Sequence, residues 1–168
     1  MAQNRRGRGG SRPTAPPGVA ANDDPPARNR PLLSPEQLAE RLDEFYEAVA
    51  QYNDGYWFEA HETLEDLWLV TPWPERQFFQ GIIQLAAAFV HFARGDYDGI
   101  FKLLDAAAEK LAGFRPAQFG VDVDALLAGI ARARAELAAL GPGAFRQWDE
   151  RRAPAIIFQS SPNPPRID

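Results

Sequence analysis

The sequence predicts an all-α fold, a compact bundle of about five antiparallel helices with one central buried helix. Two observations support this prediction. Between residues 34 and 141, apolar residues recur three or four positions apart, and Gly, Pro or capping residues separate each stretch from the next. No segment alternates convincingly between apolar and polar residues, as a half-buried strand would. We therefore expect helices that pack side by side through short connections.

Composition divides the chain into three parts. Residues 1–33 are rich in Arg, Pro and Gly and contain few bulky apolar residues, so we expect a disordered arm. Residues 34–141 form the helical domain. Residues 142–168 form a Pro-rich tail with a predicted short helix near 143–151. The apolar side chains of Ile156, Ile157 and Phe158 would be unfavourable in water, so we expect this irregular tail to pack partly on the body or on a partner subunit.

The first two predicted helices have clear end signals. In "SPEQ", Ser34 is the predicted N-cap and Gln37 completes a capping box, and the helix ends at "NDG", where Gly55 can adopt a left-handed conformation. The second helix covers about 56–69. It ends at "TPWP", since each proline disfavours helical dihedrals in the residue before it.

Three more helices follow. The third runs from about Pro74 to Arg94 and is apolar around most of its circumference, which predicts that it is the central buried helix. Asp96 is the predicted N-cap of the fourth helix, about 97–112. Asp122 is the predicted N-cap of the fifth, about 123–140.

Composition also argues against several classes of protein. The chain has no cysteine, which excludes a disulfide framework and a thiolate metal site. Its one long apolar run is interrupted by Gln and His, and its N-terminus lacks the apolar middle of a secretory signal, so we expect a cytoplasmic protein and no membrane span. The domain over 34–141 carries a net charge of −10. We therefore do not expect the folded body to bind nucleic acid.

The second helix contains one histidine and four acidic residues in "WFEAHETLEDLW". Helical spacing groups Phe58, His61, Glu65 and Trp68 on one face, which we expect to point inward. Glu59 falls on the opposite face, towards solvent. Glu62 lies at the boundary between the two faces.

The third helix carries a polar row on an otherwise apolar surface. Gln80, Gln84 and His91 lie within a narrow arc, and we expect this row to meet the polar face of the second helix. Such a seam would let the buried polar groups satisfy one another. Arg76, one turn into the third helix, is the predicted counter-ion of Glu62 or Glu65.

Three interpretations fit this seam. It is a hydrogen-bonded network that fixes helix register, or a pocket for a small polar ligand or peptide beside Trp68. Alternatively, His61, Glu65 and His91 bind a divalent metal ion and Glu62 is the catalytic general base of a hydrolase. The motif "HETLE" differs from the H-E-x-x-H of zinc proteases, so the motif itself does not assign an enzyme.

The span from about residue 45 to 112 resembles the family called domain of unknown function 309. Its matching residues are Gly55, Phe58, Glu59, Ala60, His61, Glu62, Glu65, Trp68, Arg76, Gln80, Gly81, Gln84, Ala88 and His91. The resemblance implies an all-helical, bacterial-type cytoplasmic protein and no activity that can be transferred. The family pattern coincides with the seam and adds Glu59 to it.

These observations favour a non-enzymatic module that binds an unidentified protein or a small polar ligand beside His61, Glu62 and Trp68. The alternative is the metal-dependent hydrolase. We expect no organic cofactor, and a divalent metal ion only if the metal interpretation holds. The apolar residues of the tail are also compatible with a homodimer.

Overall fold

The computed structural model describes residues 30–160, and six α-helices account for most of that range. They are α1 (Pro35–Glu40), α2 (Leu42–Asn53), α3 (Trp57–Val70), α4 (Glu75–Arg94), α5 (Tyr97–Ala112) and α6 (Val123–Leu140). The all-α bundle is therefore confirmed. None of the helices within 30–160 has both the length and the apolar character needed to cross a membrane. The predicted disorder of the arm concerns mainly residues 1–29, which lie outside the described residues, as do 161–168 of the tail.

The first predicted helix is divided into α1 and α2 at Arg41. Its capping box is present: the Ser34 N–H donates to Gln37 Oε1 over 2.8 Å, and the Gln37 N–H donates to the Ser34 hydroxyl over 3.2 Å. At Arg41 the N–H donates over 3.1 Å to the carbonyl of Leu38, only three residues back. This tighter bond interrupts the α-helical ladder. The prediction of one continuous helix is therefore wrong at this position.

The helix α4 is the central helix, as predicted. Every residue from Phe78 to Phe89 is buried, and both α3 and α5 pack against this stretch. Gly81 allows α5 to approach closely, because a Cβ atom there would lie 2.9 Å from Leu111 Cγ. The core thus forms around α4, and α3 is held on one side of it.

A short β-hairpin, which the sequence did not predict, joins α5 to α6. Strand β1 (Ala117–Gln118) pairs antiparallel with β2 (Val121–Asp122). The turn between them is formed by Phe119 and Gly120, which have φ values of 48° and 79°. Strands of two residues are too short to produce an alternating pattern. After the hairpin, the Asp122 side chain accepts a hydrogen bond from the Ala125 N–H over 2.9 Å and caps α6, as predicted.

The C-terminal segment, defined here as residues 144–159, begins with two 3₁₀ turns. They span Phe145–Gln147 and Glu150–Arg152, where the sequence predicted one short helix. The Asp149 side chain accepts a hydrogen bond from the Arg151 N–H over 3.0 Å and starts the second turn. Between the turns, Trp148 is buried against the body. The segment therefore contributes an aromatic side chain to the core without forming an α-helix.

The extended end of the C-terminal segment pairs with α2. The Tyr52 hydroxyl donates to the Pro154 carbonyl over 2.8 Å. The side-chain amide of Asn53 exchanges two hydrogen bonds of 2.9 Å with the backbone of Ile156. Ile156 is only 2% exposed, but the next two residues are 53% and 44% exposed. The expected packing on the body is thus met by Ile156, whereas packing of Ile157 and Phe158 on a partner subunit stays a prediction.

Glu136 on α6 connects that helix to the C-terminal segment and gives stability an acid dependence. Hydrogen bonds from Arg152 and then from Trp148 lower the pKa of Glu136 from 4.5 to about 2. Because the folded-state pKa is depressed, the contribution is present above the unfolded value and is lost as pH falls from about 4.5 towards 2. We expect Glu136→Gln to flatten this part of the pH profile of the free energy of unfolding, measured by urea denaturation. Glu40→Gln, which removes an exposed carboxylate of α1, should follow the native profile; equal profiles for Glu136→Gln and the native chain would contradict the assignment.

Candidate functional site

The orientation of α3 decides which of its polar side chains reach the core. Its buried face consists of Trp57, Ala60, Leu64, Leu67, Trp68 and Val70. Phe58 is 52% exposed and the Glu65 side chain 48% exposed, so the prediction that both point inward is wrong. The helix turns this apolar stripe towards α2 and α4, which leaves Phe58 and Glu65 on the outer side. His61 lies at the edge of the buried face with its side chain 17% exposed.

A pocket lies between α3 and α4 at this edge. It has a volume of about 60 Å³ and is lined by Phe58, His61, Glu62, Ala87, Val90, His91 and Arg94. Both histidines of the chain thus border the same pocket, one from each helix. The floor contains the small and aliphatic side chains of α4, and charged side chains lie at the rim. We call this the α3–α4 pocket.

His61 lies close to two carboxylates of its own helix. Its Nδ1 atom is 3.6 Å from Glu62 Oε1 and 4.0 Å from Glu65 Oε2. Both distances exceed the range of a hydrogen bond, and the buried Nδ1 has no hydrogen-bond partner among residues 30–160. The carboxylates themselves are about half exposed, at 56% and 48%. The three side chains therefore form an open group, with one buried nitrogen that is unpaired within the described part of the chain.

His91 is held by a different carboxylate, Asp96, which follows the end of α4. Its Nδ1 lies 2.8 Å from Asp96 Oδ2, while Asp96 Oδ1 accepts the Gly99 N–H over 3.0 Å and caps α5. The Gly99 N–H and then His91 hold the pKa of Asp96 below its usual value. A Cβ atom at Gly99 would lie 2.6 Å from His91 Nδ1, so glycine leaves room for this pair. Since Nδ1 is engaged, Nε2 is the ring nitrogen of His91 that remains for other partners.

The remaining predicted residues are distributed around this centre. Gln80 and Gln84 are 3% and 4% exposed, and the Oε1 atom of Gln84 has no hydrogen-bond partner in the described range. The Arg76 guanidinium lies 4.4 Å from the centre of the Trp68 ring, a cation–π contact. Its predicted pairing with Glu62 or Glu65 stays a prediction. Glu59 is exposed in the first turn of α3, on the outer face where helical spacing put it.

The structure also assigns side chains that sequence reasoning did not include in the site. Val90, directly before His91, and Arg94, about one helical turn after it, also line the pocket. The spacing of Arg94 from His91 could have indicated it, whereas that of Val90 could not. Asp96 was predicted only as a helix cap, because its contact with His91 crosses the turn at Gly95 and leaves no periodic signal.

The metal ligands predicted from the sequence are only partly brought together. Among residues 30–160, the group whose ligand atoms lie within 4.8 Å of one another is His61, Glu62 and Glu65. His91 belongs to the pocket but not to this group. Glu62, which was predicted as the general base, thus lies beside His61 in this group of candidate metal ligands.

Comparison with protein families gives one result. Residues 45–103 match the family model described as Domain of unknown function (DUF309). This range contains α3, α4 and the start of α5, and with them the whole pocket. Neither the comparison with curated proteins nor that with solved structures gave a match. The resemblance inferred from the sequence is confirmed over residues 45–103, where the chain matches the DUF309 family model.

Proposed function

We propose that the domain is a binding module whose α3–α4 pocket receives one apolar side chain from a segment of a partner protein. The observation that supports this most is the composition of the pocket, with Ala87 and Val90 in its floor and Glu62 and Arg94 among the residues at its rim. Apolar pockets with a charged rim are typical of sites that anchor a partner by one buried side chain.

The size of the pocket supports a side chain as its occupant. Pockets for cofactors and drug-sized ligands usually measure about 300–1,000 Å³. The α3–α4 pocket, at about 60 Å³, is several times smaller. Two large aromatic side chains at the start of α3, Tyr56 and Phe58, are 60% and 52% exposed. Aromatic residues are enriched at protein interfaces, so this surface would extend the contact beyond the pocket.

The charges at the rim indicate what should accompany the anchor. Arg94 makes no ion pair with any residue between 30 and 160. A guanidinium forms its strongest contacts with a carboxylate, through two parallel hydrogen bonds. We therefore propose that the partner segment carries an aliphatic or aromatic anchor next to an Asp or Glu.

A peptide display experiment tests this proposal. The full chain is used to select from a random peptide library, and one selected peptide is synthesised for titration. We expect the selected peptides to share an apolar residue beside an acidic one. Ala87→Leu fills the floor of the pocket and should weaken binding of the peptide at least tenfold.

The control is Ala112→Leu, the same substitution at the exposed last residue of α5. It should bind the peptide like the native chain. Peptides that bind Ala87→Leu and the native chain equally would refute the proposal. Sedimentation experiments that show a dimer formed through Phe58 would also refute the proposal, because a second copy of the chain would then cover this surface.

The hydrolase alternative stays a prediction. It assigns catalysis to Glu62 and requires His91 as a metal ligand, whereas the group of three ligand atoms contains Glu62 in place of His91. No specific observation favours a hydrolytic reaction over binding.

A further inference from the structure

A second concave surface lies at the other end of α4 from the α3–α4 pocket. It is a groove with a volume of about 660 Å³. Side chains from residues 73–77, at the start of α4, line one side, and side chains from residues 109–118, where α5 ends and β1 begins, line the other. We call it the α4–α5 groove. It shares no lining residue with the α3–α4 pocket, so the two surfaces can bind different partners.

Two aromatic side chains line the α4–α5 groove. Trp73 is 70% exposed, more than any other large apolar side chain among residues 30–160. Phe114 is half-buried, and its ring centre lies 5.4 Å from that of Phe78 in the core. Because Pro74 and Gly113 beside them are exposed, the groove is open and would leave a small ligand partly in water. Open grooves lined by aromatic side chains are typical of surfaces that bind extended proline-rich segments.

The charges of the groove favour a basic occupant. Glu75 and Glu109 both line it, and neither carboxylate forms an ion pair with any residue between 30 and 160. Lys110 is the one basic residue among the described lining residues. An arginine on a bound segment would therefore find a carboxylate with which its guanidinium can form two parallel hydrogen bonds.

The chain itself contains a segment with this chemistry. Residues 25–30 read PPARNR, with two prolines, two arginines and no acidic residue. Proline-rich segments favour an extended conformation without internal hydrogen bonds, so their binding costs little conformational entropy. A second proline-rich stretch, SPNPPRID at 161–168, has one arginine and one aspartate and fits the charge of the groove less well.

The backbone brings residues 25–30 close to the groove. The Leu33 N–H donates to the Val70 carbonyl over 2.8 Å. Val70 precedes Trp73 by three residues, so their Cα atoms are at most about 11 Å apart. The stretch from Pro25 to Leu33 spans about 25 Å when it is extended at about 3.1 Å per residue. It is therefore long enough to reach the groove from its attachment at Val70.

We propose that the α4–α5 groove binds the chain's own residues 25–30, with Pro25 and Pro26 against Trp73 and Arg28 paired with Glu75 or Glu109. Covalent attachment through a short connection gives the segment an effective concentration in the millimolar range, so a weak contact is enough to fill the groove. The bound segment also excludes proline-rich segments of other proteins. This inference does not depend on the proposed function of the α3–α4 pocket.

A peptide titration of the full chain, followed by NMR, tests the inference. The probe is the synthetic peptide DPPARNRP, which copies residues 24–31, and the readout is the indole N–H signal of Trp73. Its loss in Trp73→Phe identifies that signal. We expect the peptide to bind the double variant Pro25→Ala/Pro26→Ala, and to bind the native chain roughly fivefold more weakly or less, because the native segment competes for the groove.

The matched control is Pro164→Ala/Pro165→Ala, the same double substitution in the other proline-rich stretch. It should bind the peptide as weakly as the native chain. Equal affinity of the Pro25→Ala/Pro26→Ala variant and the native chain, or no binding by either, would overturn the proposal. Tighter binding by the control alone would also overturn it, because the groove would then be filled by residues 161–168.

Two further variants distinguish this inference from the proposed function. In the Pro25→Ala/Pro26→Ala background, Glu109→Gln should weaken binding of DPPARNRP roughly twofold to fivefold, as expected for a partly exposed ion pair. It should leave binding of the display-selected peptide unchanged, since Glu109 does not line the α3–α4 pocket. Ala87→Leu should lose the display-selected peptide and retain the response of Trp73 to DPPARNRP.

Discussion

Replacing Phe79 by alanine is expected to lower the free energy of unfolding by about 3–5 kcal/mol. Phe79 is completely buried in α4. Its ring stacks on Phe119 with a centroid distance of 5.4 Å and an interplanar angle of 4°. It also contacts Phe45 at 5.5 Å and Phe78 at 5.9 Å. The alanine variant would leave a cavity between α2, α4 and the β-hairpin, and neighbouring rings can fill it only in part.

Urea denaturation followed by circular dichroism measures this loss. Phe58→Ala is the matched control, because the same substitution then removes a side chain that is 52% exposed. Its effect should be within about 0.5 kcal/mol. A comparable loss in both variants would contradict the description of α4 as the centre of the core. Since domains of this size are stable by only about 5–15 kcal/mol, the Phe79 variant should be visibly closer to unfolding.

The helices could be predicted from sequence because their end signals are local. Ser34, Asp96 and Asp122 each cap the helix that was assigned to them. Gly95 ends α4 with a φ value of 78°, in the left-handed region that favours glycine. These interactions join residues at most a few positions apart, so a single sequence contains all the information they require.

The rotation of α3 about its own axis was harder to predict than the helix ends, because apolar residues occur on more than one side of this helix. Trp57, Phe58 and Trp68 are all large and aromatic, yet the first and last are buried and Phe58 is exposed. The choice between them depends on which side fits the surface of α4. Trp57 packs on Phe89 of α4 with ring centroids 5.4 Å apart, and shape complementarity of this kind is a tertiary property.

The sequence predicted which residues belong to the candidate site better than it predicted the contacts between them. Helical spacing identified His61 and His91 as residues of facing helices, and both line the α3–α4 pocket. The carboxylates that lie beside these histidines were harder to predict from the sequence. His91 pairs with Asp96 across the Gly95 turn, and His61 lies beside Glu62 as well as Glu65. Contacts of this kind depend on side-chain rotamers, which a periodic pattern does not specify.

The C-terminal segment has the weakest sequence signal and should nevertheless be essential for stability. We expect Trp148→Ala to lower the free energy of unfolding by about 3–5 kcal/mol. The Trp148 ring lies 6.0 Å from that of Phe89, nearly parallel at 13°, and 5.6 Å from that of Phe92 at 75°. Its Nε1–H donates to Glu136 Oε2 over 2.8 Å. Losing the ring removes contacts with α4 and one of the hydrogen bonds to α6.

Thermal melting compared with Trp73→Ala checks this expectation, because Trp73 is 70% exposed and offers the same substitution without burial. The melting temperature of Trp148→Ala should fall by roughly 10 °C, at about 2–4 °C per kcal/mol for a chain of this length. That of Trp73→Ala should change little. If the two variants melted together, the C-terminal segment would not unfold with the bundle, and the hydrogen bonds of Asn53 with Ile156 would have to form and break independently of the core.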